Sequence, residues 1–168
     1  MNQDRTAPLP AIVRSLALPF VAAAVGSAAT LPSLDDWCAE LAKPAFTPPR
    51  SAFGPVWTTL YLLMGAADYL VNEAEATANA KRAANALYRL QLGLNALWSI
   101  LFFGLRSPLA GLIEIVALAA AIVSTIAACA RIAKPAALLL APYLLWTIFA
   151  AALNAAIWRL NRSRSAAG

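Results

Sequence analysis

The chain has 168 residues, 61% hydrophobic and 12% charged, with a net charge of +5 and a mean hydropathy of +0.67. Soluble domains are nearer half apolar and a quarter charged, so this composition excludes an ordinary water-soluble globule and calls for lipid as the solvent. The absence of histidine excludes histidine-based triads, histidine zinc sites and histidine-ligated haem, and the lack of GxxxxGK and GxGxxG leaves no conventional nucleotide-driven pump.

A bilayer span needs roughly 17–25 mostly apolar residues. Five stretches qualify: 15–31, 53–71, 87–105, 108–130 and 135–160. They are rich in Ala and Leu and lack the alternation of a transmembrane barrel. The expected fold is therefore all-α, a membrane bundle of five helices in one domain over 1–168.

The N-terminal dozen residues are polar and expected to fray. The first apolar stretch has the outline of a signal peptide, with Arg5 and Arg14 before it and small residues at Ser27–Ala29. Its full span length, with Pro19 and Gly26 inside, reads instead as a retained helix.

The first loop, 32–52, is the longest connection. Residues Leu34–Leu41 have the pattern of a short amphipathic helix, and the segment KPAFTPP follows from Lys43 to Pro49. Four prolines between Pro32 and Pro49 stiffen it. A rigid loop of this length suits a lid or binding element, against the plainer reading of an interfacial connector.

The second loop, 72–86, carries Glu73, Glu75, Lys81 and Arg82 and needs no more than solvation. A tight turn around Arg106-Ser107-Pro108 and a short link before Pro135 follow. Short connections point to antiparallel, up-down neighbours, and no inverted repeat is visible.

The basic residues do not set an orientation. The N-terminus with the second and fourth loops holds Arg5, Arg14, Lys81, Arg82, Arg89, Arg131 and Lys134. The other side holds Lys43, Arg50, Arg106, Arg159, Arg162 and Arg164, so seven stand against six. The positive charge in this setting suits anionic headgroups rather than nucleic acid. Cys38 and Cys129 fall at opposite membrane faces and read as free thiols.

Three spans carry a stripe of ring, amide or acid at helical spacing. Trp57, Tyr61, Met64 and Asp68 share one face, as do Gln91, Asn95, Trp98 and Phe102, and Tyr143, Trp146, Ala150 and Asn154. Buried amides need partners, so these faces turn towards protein. Each residue alone reads as interhelical glue, and Trp57 and Trp158 near span ends read equally as interfacial belt. Trp98 and Trp146 lie well inside their spans. Together the stripes suggest an apolar pocket with a few polar anchors, shaped for a flat hydrophobic ligand.

Two acids lie within spans. Asp68, a turn from its helix end, reads as a functional acid or, at least equally, as one that snorkels to the surface. Glu114, about two turns into its helix, is expected either to hydrogen-bond within the bundle or to serve proton-coupled transport. The alanine clusters Ala117-xxx-Ala121, Ala150–Ala152 and Ala155–Ala156 permit close helix approach.

The succession DDWCAELAKPAFTPP, PVWTTLYLLMG, QLGLNALWSILFFG and PYLLWTIFAAALNAAIWRLN resembles the TspO/MBR family, the tryptophan-rich sensory proteins and translocator proteins (peripheral benzodiazepine receptors). It runs in order from about Trp37 to Asn161. The resemblance implies a five-helix bundle, usually homodimeric, whose pocket under the first loop binds protoporphyrin IX, haem, sterols or benzodiazepine-type drugs. The implied role is tetrapyrrole sensing, transport or disposal. Carried over by motif, the pocket comprises Phe46, Trp57, Asn95, Trp98, Tyr143, Trp146, Ala150 and Asn154; the stripes add Tyr61. No cofactor is required on this reading, and porphyrin or haem is a ligand.

Three departures bear on the implied activity. Phe46 stands where many members have tryptophan, which weakens the reading as a porphyrin-degrading enzyme; no catalytic residue is assigned. Ala155 and Ala156 replace the tyrosines of a proposed sterol motif. The stretch Ala86–Leu90 lacks the glycine pair suggested for dimers of some relatives.

Overall fold

The computed structural model describes residues 9–165, with side chains to residue 162. Six α-helices follow in order: α1 Leu9–Thr30, α2 Trp37–Glu40, α3 Arg50–Glu73, α4 Ala78–Ser99, α5 Pro108–Ala130 and α6 Lys134–Ser165. A 3-10 turn, Leu31–Ser33, extends α1, and a π-helical turn, Ile100–Gly104, extends α4. Among the described residues there is no strand.

The helices outrun the hydropathy windows. Of the expected polar N-terminal dozen, residues 1–8 lie outside the described residues, while α1 already begins at Leu9. The second connection shrinks from 72–86 to the four positions 74–77, because α4 starts at Ala78. Polarity at 78–86 marks a helix leaving lipid, not a loop. Backbone pairing continues into water, where the Thr77 hydroxyl accepts the Ala80 N–H at 3.3 Å. At α5 the boundaries match expectation: Ser107 caps the helix by accepting the Ala110 N–H at 3.3 Å, and Pro108 occupies the first turn.

Among the described residues four helices are long and apolar enough to cross a bilayer: Leu9–Ser33, Ala78–Gly104, Pro108–Ala130 and Lys134–Arg162. Helix α3 has 24 residues but carries Arg50, Asp68, Asn72 and Glu73, which lower its hydropathy.

The five long helices form a closed ring in the order α1, α3, α6, α5, α4. This corrects the simple up-down arrangement. Although α3 and α4 are joined by the short 74–77 turn, α1 packs against both and wedges between them. Lipid tails are as apolar as leucine, so close packing rather than water exclusion must hold such helices together. Gly65 provides it at the α1–α3 crossing, where an added Cβ would lie 2.4 Å from Leu16 Cδ2 and 3.3 Å from its Cα. The core is built from Leu60, Met64, Val71, Tyr88, Leu92, Ile115, Ile122 and Leu140. Of the pair Ala117-xxx-Ala121, Ala121 is buried and Ala117 is exposed.

Candidate functional site

The three polar–aromatic stripes converge on the ring's interior. The Tyr61 hydroxyl donates to Asn95 Oδ1 at 2.9 Å, and Asn95 Nδ2 donates to the Tyr143 hydroxyl at 3.2 Å. One amide thus clasps α3, α4 and α6, with all three side chains buried. Trp57 stacks on Tyr61 at 5.4 Å between ring centroids and meets Tyr143 edge-on at 6.4 Å. These contacts turn Trp57 to the interior and correct its reading as interfacial belt. Trp158 faces Arg162, whose guanidinium lies 4.7 Å from its ring centroid.

A second junction lies nearer the loop end. The Trp98 indole N–H donates to Asn154 Oδ1 at 3.2 Å, while Asn154 Nδ2 donates to the Pro108 carbonyl at 2.7 Å. Asn154 therefore joins α4, α5 and α6. Trp98 stacks on Phe102 at 5.2 Å, and Trp37 of the loop meets Phe102 edge-on at 5.5 Å. The π-helical turn belongs to this arrangement. Inserting a residue into the ladder re-aims the side chains after it, a feature frequent at functional sites, and here it carries Phe102 and Phe103.

Trp146 belongs to a third aromatic group. It contacts Phe53 at 5.8 Å and Phe149 at 5.4 Å, and Phe149 meets Phe46 of the loop at 6.3 Å. Phe46 remains 52% exposed, so a ring there is open to a partner. Ala150 is half-buried on the same helix, packed against the core.

The first loop roofs these groups. Its helical part is only Trp37–Glu40, shorter than the expected 34–41. Asn161 holds it down by a reciprocal pair: its Oδ1 accepts the Ala42 N–H at 3.0 Å and its Nδ2 donates to the Ala42 carbonyl at 3.0 Å. Arg106 reaches Asp36 at 2.7 Å, Arg50 reaches Asp35 at 2.8 Å, and the Ser33 hydroxyl donates to the Phe103 carbonyl at 2.8 Å. Arg106 adopts φ 53°, a left-handed conformation unusual for a side-chain-bearing residue. The Trp37 N–H, first, and the Arg106 guanidinium hold the Asp36 carboxyl below its ordinary value, while burial pushes the Cys38 thiol up. Cys38 and Cys129 are both buried and free.

Sequence reasoning missed Phe53, Phe149, Trp37 and Asn161 as contributors. Phe53 lies four residues before Trp57, Phe149 three after Trp146 and Asn161 seven after Asn154. Each continues an existing stripe by helical spacing. Two expectations fail in detail. Gln91 was expected to act as interhelical glue and Glu114 to hydrogen-bond within the bundle, yet neither side chain has a hydrogen-bond partner among the described residues, although both are buried. The Tyr88 hydroxyl is likewise unpartnered. Asp68 is half-buried and lines a small void with Tyr88 and Cys129.

A family model described as the TspO/MBR family matches residues 15–159. The chain is 49% identical over 136 residues to the tryptophan-rich protein TspO of Archaeoglobus fulgidus, covering 81% of this chain and 87% of that protein. It is 39% identical over 126 residues to the translocator protein of Homo sapiens, covering 74% and 75%. To the tryptophan-rich sensory protein of Cereibacter sphaeroides it is 35% identical over 153 residues, covering 89% and 94%. With a family match across most of its length and several apolar helices, this chain is a multi-pass membrane protein and belongs to the TspO/MBR family.

Proposed function

We propose that the chain binds a tetrapyrrole, such as protoporphyrin IX or haem, or a similar flat hydrophobic ligand, between α3, α4 and α6 and beneath the first loop. On this reading all five long helices cross the bilayer and the protein acts as a sensor, carrier or regulator rather than an enzyme. Convergence of Trp57, Trp98 and Trp146 with Asn95, Tyr143 and Asn154 under a fastened loop supports it most. Rings offer stacking area, and amides and phenols orient the ligand's polar edge. These groups now bond and stack on one another, so a ligand would enter by exchanging those contacts for its own. A homodimer is part of the same reading, supported by the family resemblance.

The test is tryptophan-fluorescence quenching of detergent-purified protein by protoporphyrin IX, alongside Trp146→Phe and Asn154→Ala. Saturable quenching weakened at least tenfold (about 1.4 kcal/mol) by either substitution is expected. Non-saturable quenching, or equal quenching in all three proteins, means partitioning into the micelle and sinks the reading.

A second reading rests on Glu114. It is an intramembrane acid on the inner face of α5, one turn from Gly111, with both carboxyl oxygens unpartnered. Such a group suits proton-coupled movement of a ligand. Proton-dependent uptake into proteoliposomes that disappears in Glu114→Gln supports this reading; uptake indifferent to pH and to the substitution removes it.

A further inference from the structure

Four basic side chains share one level at the end of the bundle opposite the first loop. The register follows from the helix contacts. A Cβ on Gly26 of α1 would lie 3.1 Å from Ser99 Oγ of α4. Arg14 is twelve residues below the first and Arg89 ten below the second, about 3 Å apart along the axis at 1.5 Å per residue. Tyr88 and Cys129 line one small void, which puts Arg131, two residues beyond Cys129, within about one turn of Arg89. Asn95 bonds Tyr143, which puts Lys134 at the same height as Arg131. The four lie on α1 and α4, just past the end of α5 and at the start of α6, an unbroken arc of the ring.

All four are exposed. The ion pairs among the described residues are Arg50–Asp35 and Arg106–Asp36, both at the loop end, so no carboxylate pairs with any member of the arc. Glu73 lines the groove beside Arg14 without reaching ion-pair distance. Exposed apolar side chains lie one to about two turns nearer the bilayer centre than each cation. Leu18 and Val21 lie beyond Arg14, Leu97 beyond Arg89, Val123 beyond Arg131 and Leu138 beyond Lys134, all exposed. A cation at the edge of an apolar face fits an amphiphile with an anionic head, whereas a nucleic acid or acidic protein would leave the apolar half uncovered.

We propose that Arg14, Arg89, Arg131 and Lys134 form a collar that binds the phosphodiester headgroups of anionic phospholipids. The headgroup phosphate pairs with the guanidinium and ammonium groups, and the acyl chains lie along the exposed leucines and valines. Basic groups near a membrane surface attract anionic lipid with useful strength. The proposal places the phosphate plane across the arc, so residues 78–85 of α4 project beyond it into water. That agrees with the polar run Asn79, Lys81, Arg82 and Asn85.

The test is binding of phosphatidylglycerol and phosphatidylcholine to the full chain in non-ionic detergent, read by native mass spectrometry. The quadruple variant Arg14→Gln, Arg89→Gln, Arg131→Gln, Lys134→Gln is measured beside Lys43→Gln/Arg159→Gln, which removes two cations at the other end. Phosphatidylglycerol is expected to bind at least tenfold tighter than phosphatidylcholine, to lose that preference in the quadruple variant, and to keep it in the loop-end variant. Inorganic phosphate at millimolar concentration is expected not to compete. Equal binding of both lipids, an unchanged preference in the quadruple variant, or equal loss in the loop-end variant overturns the proposal. Full competition by inorganic phosphate replaces a lipid site with a phosphate site and also overturns it. If the quadruple variant does not fold, Arg89→Gln/Arg131→Gln answers the same question, with an intermediate loss expected and no loss overturning it.

Discussion

Asn154 accepts the indole N–H of Trp98 at 3.2 Å and at the same time donates its amide to the Pro108 carbonyl at 2.7 Å. The Pro108 carbonyl lies in the first turn of α5, so one buried side chain fixes the relative position of three helices. Replacing it with leucine leaves a donor on α4 and an acceptor on α5 without these partners, at a cost of about 1–3 kcal/mol. Asn154→Leu is therefore expected to lower the thermal unfolding midpoint in detergent, with Trp98→Phe in the same background adding little. Full additivity of the two changes, measured as a double-mutant cycle, contradicts the shared bond.

Close packing around that junction depends on Gly111. An added Cβ there would lie 3.0 Å from Asn154 Oδ1 and 3.1 Å from Phe102 Cβ, whereas nothing lies within 4 Å of one at Gly93. Gly111→Ala is expected to destabilise by about 1–3 kcal/mol. Gly93→Ala, inside the exposed face of α4, is expected to be neutral or stabilising by up to about 1 kcal/mol. Equal unfolding midpoints for the two variants speak against close packing at Gly111.

The loop is held at Asn161, whose amide makes both backbone bonds to Ala42. Asn161→Ala is expected to raise the rate of limited proteolysis between Lys43 and Arg50 several-fold while leaving helical circular dichroism unchanged. A cleavage rate equal to that of the parent means the loop is fastened elsewhere.

Acid acts on the same loop through Asp36. Its carboxyl is held below the ordinary 3.8 first by the Trp37 N–H and further by Arg106. A depressed folded-state value means the contribution is present above pH 3.8 and is lost as pH falls through the lower folded value. Proteolytic nicking of the loop by an acid protease is expected to accelerate below about pH 4 in the parent. Asp36→Asn should be nicked faster at neutral pH by a neutral protease and show a flatter acid response. An identical acid profile in both proteins removes Asp36 from the account.

Tyr143→Phe tests the inner clasp separately from the ligand. It removes the acceptor of Asn95 Nδ2 while Tyr61 still donates to Asn95 Oδ1. A loss of about 0.5–1.5 kcal/mol is expected in chemical denaturation. No loss places the Tyr143 hydroxyl outside the clasp.

The sequence by itself determined the solvent, the helical class and the inward faces. The long apolar stretches need lipid, backbone groups in lipid need internal pairing, and helices supply it. The spacing of Tyr61, Asn95, Tyr143 and Asn154 marked faces that cannot meet acyl chains, and all four are buried. The motif succession was specific enough to give the family. The sequence did not reveal where helices end once they leave lipid, because hydropathy follows the solvent and not the hydrogen-bond ladder; α4 begins nine residues before its apolar run. Only the tertiary structure decided that α1 lies between α3 and α4, a matter of close approach at Gly65. It alone showed that Asn161 fastens the loop and that Gln91 and Glu114 have no hydrogen-bond partners among the described residues. Those facts concern partners distant along the chain. Helical periodicity gives the direction of a side chain about its own axis, and only packing decides what it meets.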